Sequence, residues 1–239
     1  MNNFGIIGDV HGHIGDYEML VYEVESSLQL GDMGFNYKAL DKFDPIQHKF
    51  LPGNHDNYTN VERTDLKPED VDSYGPYTVR DGKVYHFIEF PETFIGNYGR
   101  WTPPNCTEEL FFVRGANSID QHRRIQGVDW WPEEELTNQE MTEAIKLYEK
   151  IKPRVVVTHD APLQVFQHIK LNSFFGGKPN LNPTIRALDA LLDVHRPDIW
   201  IFGHHHQDVK FQHVGTEFWC LDELSMLMLN EKLEVQGIV

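Results

Sequence analysis

An α/β fold is predicted by three observations on this chain. Short apolar runs closed by glycine or polar residues recur along it, segments of helical periodicity separate several of them, and the last runs follow one another with only short polar turns between. Phe4–Ile7 reads as the first buried strand, followed by a helix over Ile14–Val24 and strands over Ser26–Leu30 and Lys49–Leu51. The stretch 57–106 is rich in Pro, Gly and aromatic residues. It reads as an irregular insertion covering a sheet edge, with one hairpin around Asp81-Gly82. Strand Leu110–Val113 comes next, then a helix over Glu133–Lys150 that opens on Pro132 and three glutamates, as a helix N-terminus prefers. Strand Val155–Val157, helix Pro183–Val194 and strand Ile199–Phe202 complete the alternation. Val209–Phe211, Glu217–Leu221 and Leu233–Val235 leave no room for crossover helices and so predict an antiparallel ending.

The composition of the 239 residues suits one globular domain, expected to span 1–239. Lys and Arg number 21 against 37 Asp and Glu, a formal charge of −16, so no extended nucleic-acid-binding surface is expected. An anionic substrate remains compatible, because metal ions bound among carboxylates and histidines reverse the potential locally. Cys106 and Cys220 are far apart and form no CxxC pair, which fits a reducing, cytoplasmic compartment. The N-terminus lacks a basic, apolar leader and no run approaches membrane-spanning length, so no membrane partner is expected.

Thirteen histidines is a high number for this length, and five of them lie just beyond apolar strands. Asp9-Val10-His11 follows the first strand, and residues two apart on an extended chain point the same way, so both could ligate one ion. Gly31-Asp32 follows the second strand and Gly53-Asn54-His55-Asp56 the third. Read singly, either is equally a common turn. Thr158-His159 follows three valines, and Gly203-His204-His205-His206 follows Ile199–Phe202, with His204 and His206 on one face. Strand ends in an α/β sheet converge on one crevice, so the ordered set points to a metal site. The donors are nitrogen and oxygen without thiolate, which admits manganese, iron, zinc, nickel or cobalt.

This five-motif series resembles the calcineurin-like metallophosphoesterase superfamily, over Phe4 to His206 apart from the 57–106 stretch. The resemblance implies a β-sandwich of two mixed sheets flanked by helices and a hydrolase acting on a phosphate-ester substrate. It also implies two divalent ions, manganese first, with metal-activated water as the nucleophile. Carried over residue by residue, Asp9, His11 and His206 would hold one ion and Asn54, His159 and His204 the other, with Asp32 bridging and His55 as the catalytic histidine. Asp160 is a candidate for orienting His159, while His13 and His205 either face the substrate or are simply solvated.

The match departs from its phosphoprotein and dinucleoside tetraphosphate phosphatase relatives after Asp32. They continue Gly-Asp-x-x-Asp-Arg-Gly, whereas this chain reads Met33-Gly34-Phe35-Asn36, and it has Asp56 where they have Glu. The missing arginine counts against protein phosphatase activity, because a bidentate Arg is a principal clamp for phosphomonoesters; a protein or dinucleotide phosphatase is the alternative reading, decided by whether another arginine replaces it. Arg123 and Arg124, beyond strand Leu110–Val113, are candidate substitutes, or else ordinary surface ion-pair partners. Trp130-Trp131 and the aromatic residues Tyr74, Tyr77, Tyr98 and Trp101 could wall the cleft or pack against the sheets. A metal-binding scaffold without catalysis is the rival from another class, and such a protein should have lost ligands or His55.

Overall fold

The computed structural model describes residues 4–34, 37–58, 61–63, 77–80, 83–87, 93–169 and 181–239. Among these, two mixed sheets pack face to face. The first contains β1 (Phe4–Ile7), β2 (Ser26–Gln29) and β3 (His48–Phe50), parallel to one another, with β13 (Met226–Leu229) antiparallel to β1 and β14 (Val235–Ile238) outside it. The second contains β8 (Leu110–Val113), β9 (Val155–Thr158), β10 (Ile199–Phe202) and β12 (Thr216–Cys220), all parallel. Its edges are β7 (Tyr98–Trp101) and β11 (Val209–His213), each antiparallel to its neighbour.

Alternation along the strands builds three apolar layers from a few residues each. Phe4, Ile6, Leu28, Leu110, Phe112, Val155, Val157 and Ile201 face inward and form the core between the sheets. The intervening Phe111, Val113, Val156, Trp200 and Phe202 face outward, under α2 (Asn138–Ile151) and α3 (Pro183–Val194). Ile7 and Val10 pack under α1 (Ile14–Tyr22) through Tyr17 and Val21. Such double-sided burial explains why the parallel strands read as continuous apolar runs and not as alternating ones.

Three expectations shift in detail. Helix α2 begins three residues after the last of the three glutamates, because Thr137 caps it. The Thr137 hydroxyl accepts from Glu140 N at 3.2 Å, while the Glu140 carboxylate accepts from Thr137 N at 2.8 Å. The 57–106 stretch is only partly an insertion. β4 (Val61–Arg63), β5 (Tyr77–Arg80) and β6 (Lys83–Phe87) make a separate small sheet with the expected β5–β6 hairpin, but β7 belongs to the sandwich and Ile95 to its core. The Asp81-Gly82 turn itself lies outside the described residues. The ending is antiparallel, with the last strand at Val235–Ile238, whereas Leu233 is a buried turn residue at φ 55°.

All the parallel strands deliver their C-terminal ends to one edge of the sandwich, where the polar motifs stand. No helix among the described residues is long and apolar enough to cross a membrane.

Phe112→Ala, which empties a position with 0% exposure between the sheets, should cost about 3–5 kcal/mol, against about 1 kcal/mol for Thr137→Ala at the α2 cap. Denaturant melts of metal-free protein check this, because metal binding then contributes nothing to the difference.

Candidate metal centre

The loops beyond the strands are tied to one another before any side chain enters the site. His11 N donates to Asp32 O at 2.7 Å and Gly12 N to Met33 O at 3.0 Å, joining the first two motifs. Gly203 N donates to His159 O at 3.1 Å, joining the last two, and His204 N reaches Asp9 Oδ1 at 3.1 Å across the two sheets. His11, Asp32, His204 and His206 all adopt positive φ, between 46° and 63°, a region that side-chain-bearing residues seldom occupy and that clusters at functional sites. Gly53 is required for space, since a Cβ there would strike Asp32 Oδ1 and the His159 ring.

Two groups of donors result, one open and one buried. In the open group, His206 Nε2 lies 3.0 Å from Asp9 Oδ2 and 2.9 Å from His11 Nε2, which in turn is 3.7 Å from Asp32 Oδ2. In the buried group, His159 Nε2 lies 3.4 Å from Asp32 Oδ1 and 3.2 Å from Asn54 Oδ1, with the His204 ring 5.0 Å from that of His159. The Leu30 carbonyl, 2.8 Å from His159 Nδ1, can only accept, so Nδ1 carries hydrogen. Nε2 of His159, Asn54 Oδ1 and Asp32 Oδ1 then converge as three acceptors, unless a proton on Nε2 lies among them. A divalent ion meets the same need with more charge, so the donor set fits a pair of first-row ions.

The electrostatics follow from burial. Asp9, with 0% exposure, would be pushed up by desolvation, but its bonds to His11 and His206 and the nearby His159 hold it below the usual carboxylate range. His11 reciprocates. Desolvation lowers its pKa, yet Asp9 and Asp32 outweigh this and raise it to about 8. The hydrogen bond to Asp9 raises His206, and His159 is raised by Asp32 and Asp9 against desolvation. For His204 burial outweighs the nearby Asp160 and Asp32 carboxylates and, with His205 and His159 adding to the effect, drops it to about 4. His55 is lowered by desolvation, with Arg124 and His11 adding to the effect.

Of the residues that support the site, Asp56 closes the third motif, while Tyr37, Ser118 and Glu134 carry no motif signal. Asp56 is fully buried and accepts from Asp32 N at 2.9 Å, Gly53 N at 2.7 Å, Met33 N at 3.2 Å and Tyr37 Oη at 2.7 Å, which fixes the second motif to the third. Burial and the neighbouring Asp32 nonetheless push its pKa up to about 7. Asn54 is oriented by Ser118, whose Oγ accepts from Nδ2 at 3.2 Å and donates to the buried Glu134 at 2.8 Å. Glu134 is one of the three glutamates that looked like helix-opening acids. The ordering of His159 falls to the Leu30 carbonyl, whereas Asp160 accepts from Ala161 N at 2.7 Å and pairs with His205 at 3.2 Å.

The remaining sequence candidates divide. His55 lies beside the open group, its ring 5.2 Å from that of His11, and its backbone N donates to Asp32 Oδ1 at 2.7 Å. Arg124 reaches His55 at 2.9 Å, while Arg123 is exposed. His13 is exposed, 3.3 Å from Glu223 and outside both donor groups. Trp131 and Tyr98 are buried in the outer cores and Trp101 packs edge-on against Phe4, so none of these three lines the site. Tyr74 lies outside the described residues.

The family described as calcineurin-like phosphoesterase matches residues 3–208, from β1 to the loop that carries His206. The chain belongs to that family. No curated protein matches it significantly. Among solved structures it is similar to phosphopantetheinyl hydrolase from Mycobacterium tuberculosis, with 14% identity and a TM-score of 0.50 over 92% of this chain and 89% of that one. It is also similar to a 5′-nucleotidase candidate from Staphylococcus aureus, with 13% identity and a TM-score of 0.50 over 99% of this chain and 53% of that one. This phosphoesterase thus spans about half the length of the latter, and at these identities both likenesses speak for the fold alone. Two mixed sheets flanked by helices are the architecture expected of the family.

Asp32→Asn should lower the occupancy of both donor groups, and elemental analysis showing two full ions in the variant would sink the shared-ligand assignment. Affinity for the ions should also depend on pH. Metal-free His11 is protonated below about 8 and must be neutral to bind, so affinity should rise with pH up to that value and level off above it. Manganese calorimetry in buffers of different ionisation enthalpy reads the released proton directly; no release between pH 6 and 8 would contradict the expectation.

Proposed function

We propose that the chain is a dinuclear metal-dependent phosphoesterase, one domain over 1–239, that hydrolyses a phosphomonoester or phosphodiester with metal-activated water. The observation that carries this reading is Asp32, whose Oδ2 faces His11 while its Oδ1 faces His159. One carboxylate addressed to two separate donor groups is the arrangement a bridged ion pair needs. Asp9, His11 and His206 are the remaining ligands on the open side, and Asn54, His159 and His204 those on the buried side. Manganese is the first choice, with iron, zinc, nickel or cobalt also compatible with oxygen and nitrogen donors.

When bound, such a pair of ions polarises phosphoryl oxygens and activates water. The chain's own residues supply the rest. Asp56, itself held by the Tyr37 hydroxyl, keeps Asp32 in place by accepting from its backbone N–H, the Leu30 carbonyl keeps the His159 Nε2 lone pair pointed inward, and Ser118 turns the Asn54 oxygen toward the same point. His55 borders the open side and is suited to protonate the leaving alkoxide. Burial keeps its pKa low, and the negative charge of an arriving phosphate is what raises its proton affinity.

A protein serine/threonine or dinucleoside polyphosphate phosphatase is a narrower reading, and Phe35-Asn36 in place of the relatives' Asp-Arg weighs against it. Retention of every ligand and of His55 weighs against a non-catalytic scaffold. The free thiols of Cys106 and Cys220 support a cytoplasmic location.

The test is hydrolysis of p-nitrophenyl phosphate and bis-p-nitrophenyl phosphate by chelator-stripped protein reloaded with manganese. Turnover of neither ester with two ions bound would refute the reading. His55→Ala should keep its metals yet lose roughly 10²- to 10⁴-fold in rate on esters with poor leaving groups, and much less on nitrophenyl esters. Equal losses on both would argue against the acid role.

A further inference from the structure

We propose that Arg124 is the residue that grips the substrate's phosphate, and that its grip favours monoesters over diesters. The proposal rests on the phosphoesterase reading and adds a substrate class to it. The guanidinium lies over His55, with NH2 2.9 Å from Nε2 and NH1 3.4 Å from Nδ1, and the His55 ring in turn stands 5.2 Å from that of His11. The cation is therefore one ring away from the open donor group.

Arg124 is aimed, not merely nearby. Its Nε lies 2.7 Å from Asp120 Oδ1 and NH1 donates to the Asp129 carbonyl at 3.2 Å, leaving the side chain 11% exposed. The loop that carries it is stitched to itself, through Ile125 N to Asp129 Oδ1 at 2.5 Å, Val128 N to Ile125 O at 3.0 Å and Gly127 N to Trp130 O at 2.8 Å. Two anchors, at Nε and NH1, hold the guanidinium and leave NH2 directed at the His55 ring.

The partner at that end is an imidazole. Guanidinium can only donate, so the contact needs a lone pair on His55, and a neutral ring is a weaker acceptor than an anionic oxygen. A phosphate oxygen arriving between the two would improve the bond. Arg114, the other arginine of this neighbourhood, is buried and committed to Asn97, Tyr58 and the Glu133 carbonyl. At the positions after Asp32 where relatives carry their clamp, Met33 is in the core and Phe35 and Asn36 carry no positive charge.

Monoester preference follows from counting oxygens. A phosphomonoester near neutral pH has three terminal oxygens sharing two charges, so with two directed at the donor groups a third charged oxygen remains for Arg124. A diester has only two non-bridging oxygens and one charge. It has nothing equivalent to offer.

The experiment compares manganese-loaded wild type, Arg124→Ala and Arg124→Lys, each checked for two bound ions, by kinetics on both nitrophenyl esters and by calorimetry of inorganic phosphate. In Arg124→Ala the monoester KM and the phosphate Kd should both rise about 10- to 100-fold, the range expected for lost hydrogen bonds to a charged group. Diester KM should stay within about threefold, and Arg124→Lys, keeping charge without the fork, should recover only part of the loss. Unchanged phosphate affinity, or equal losses on both esters, would overturn the proposal. If wild type turns over neither ester, the hydrolytic reading falls, and the phosphate calorimetry alone then decides whether Arg124 grips phosphate.

Discussion

The structure is organised around an expensive act, the burial of Asp9, Asp32 and Asp56 within a few ångströms of one another at the edge of a sandwich. Ionised carboxylates removed from water must be compensated by donors or cations, or they protonate. Each of the three is compensated differently. Asp56 receives three backbone N–H groups and a tyrosine hydroxyl, Asp9 receives two histidines and the backbone of a third, and Asp32 lies between His11 and His159. The division of labour explains the site. Asp56 is compensated by neutral donors of the fold itself, whereas Asp9 and Asp32 lean on titratable rings, which in the proposed metal centre would give up their protons to metal.

The glycines and strained backbones are consequences of that crowding. Strand ends approach closely enough to share a carboxylate only where Gly53 and Gly203 omit a Cβ. They turn their ligands inward only where His11, Asp32, His204 and His206 accept a left-handed conformation. Each such residue costs of order 1 kcal/mol or more, and the two close-packed sheets beneath supply the stability that sustains it.

What was legible in the sequence is what repeats or stands at a strand's end. Apolar runs marked Phe4–Ile7, Leu110–Val113 and Ile199–Phe202 to the residue, and the polar residues beyond them marked the donors. β7 escaped notice because an edge strand containing Gly99 and Arg100 lacks an apolar run, whereas β13 is an apolar run closed by the Asn230 turn and was legible though missed. The supporting shell was invisible for a different reason. Tyr37, Ser118 and Glu134 act through long-range hydrogen bonds, 19, 64 and 16 positions from Asp56, Asn54 and Ser118, and no local pattern encodes such a pairing. Glu134 even sat in a plausible helix-opening cluster, until the capping of α2 by Thr137 left it free to turn inward.

The pairing of β1 with β13 sets a timetable for the chain's own synthesis. Phe4 stands opposite Leu229, so β1 lacks one of its two neighbours until β13 has been made. His206 likewise arrives nearly two hundred residues after Asp9. Contacts of that sequence separation make for slow closure, and the exposed edge of β1 must be kept from other partners meanwhile. A metal centre built from these residues would therefore be completed late, since the two sides of the donor group are made far apart in time.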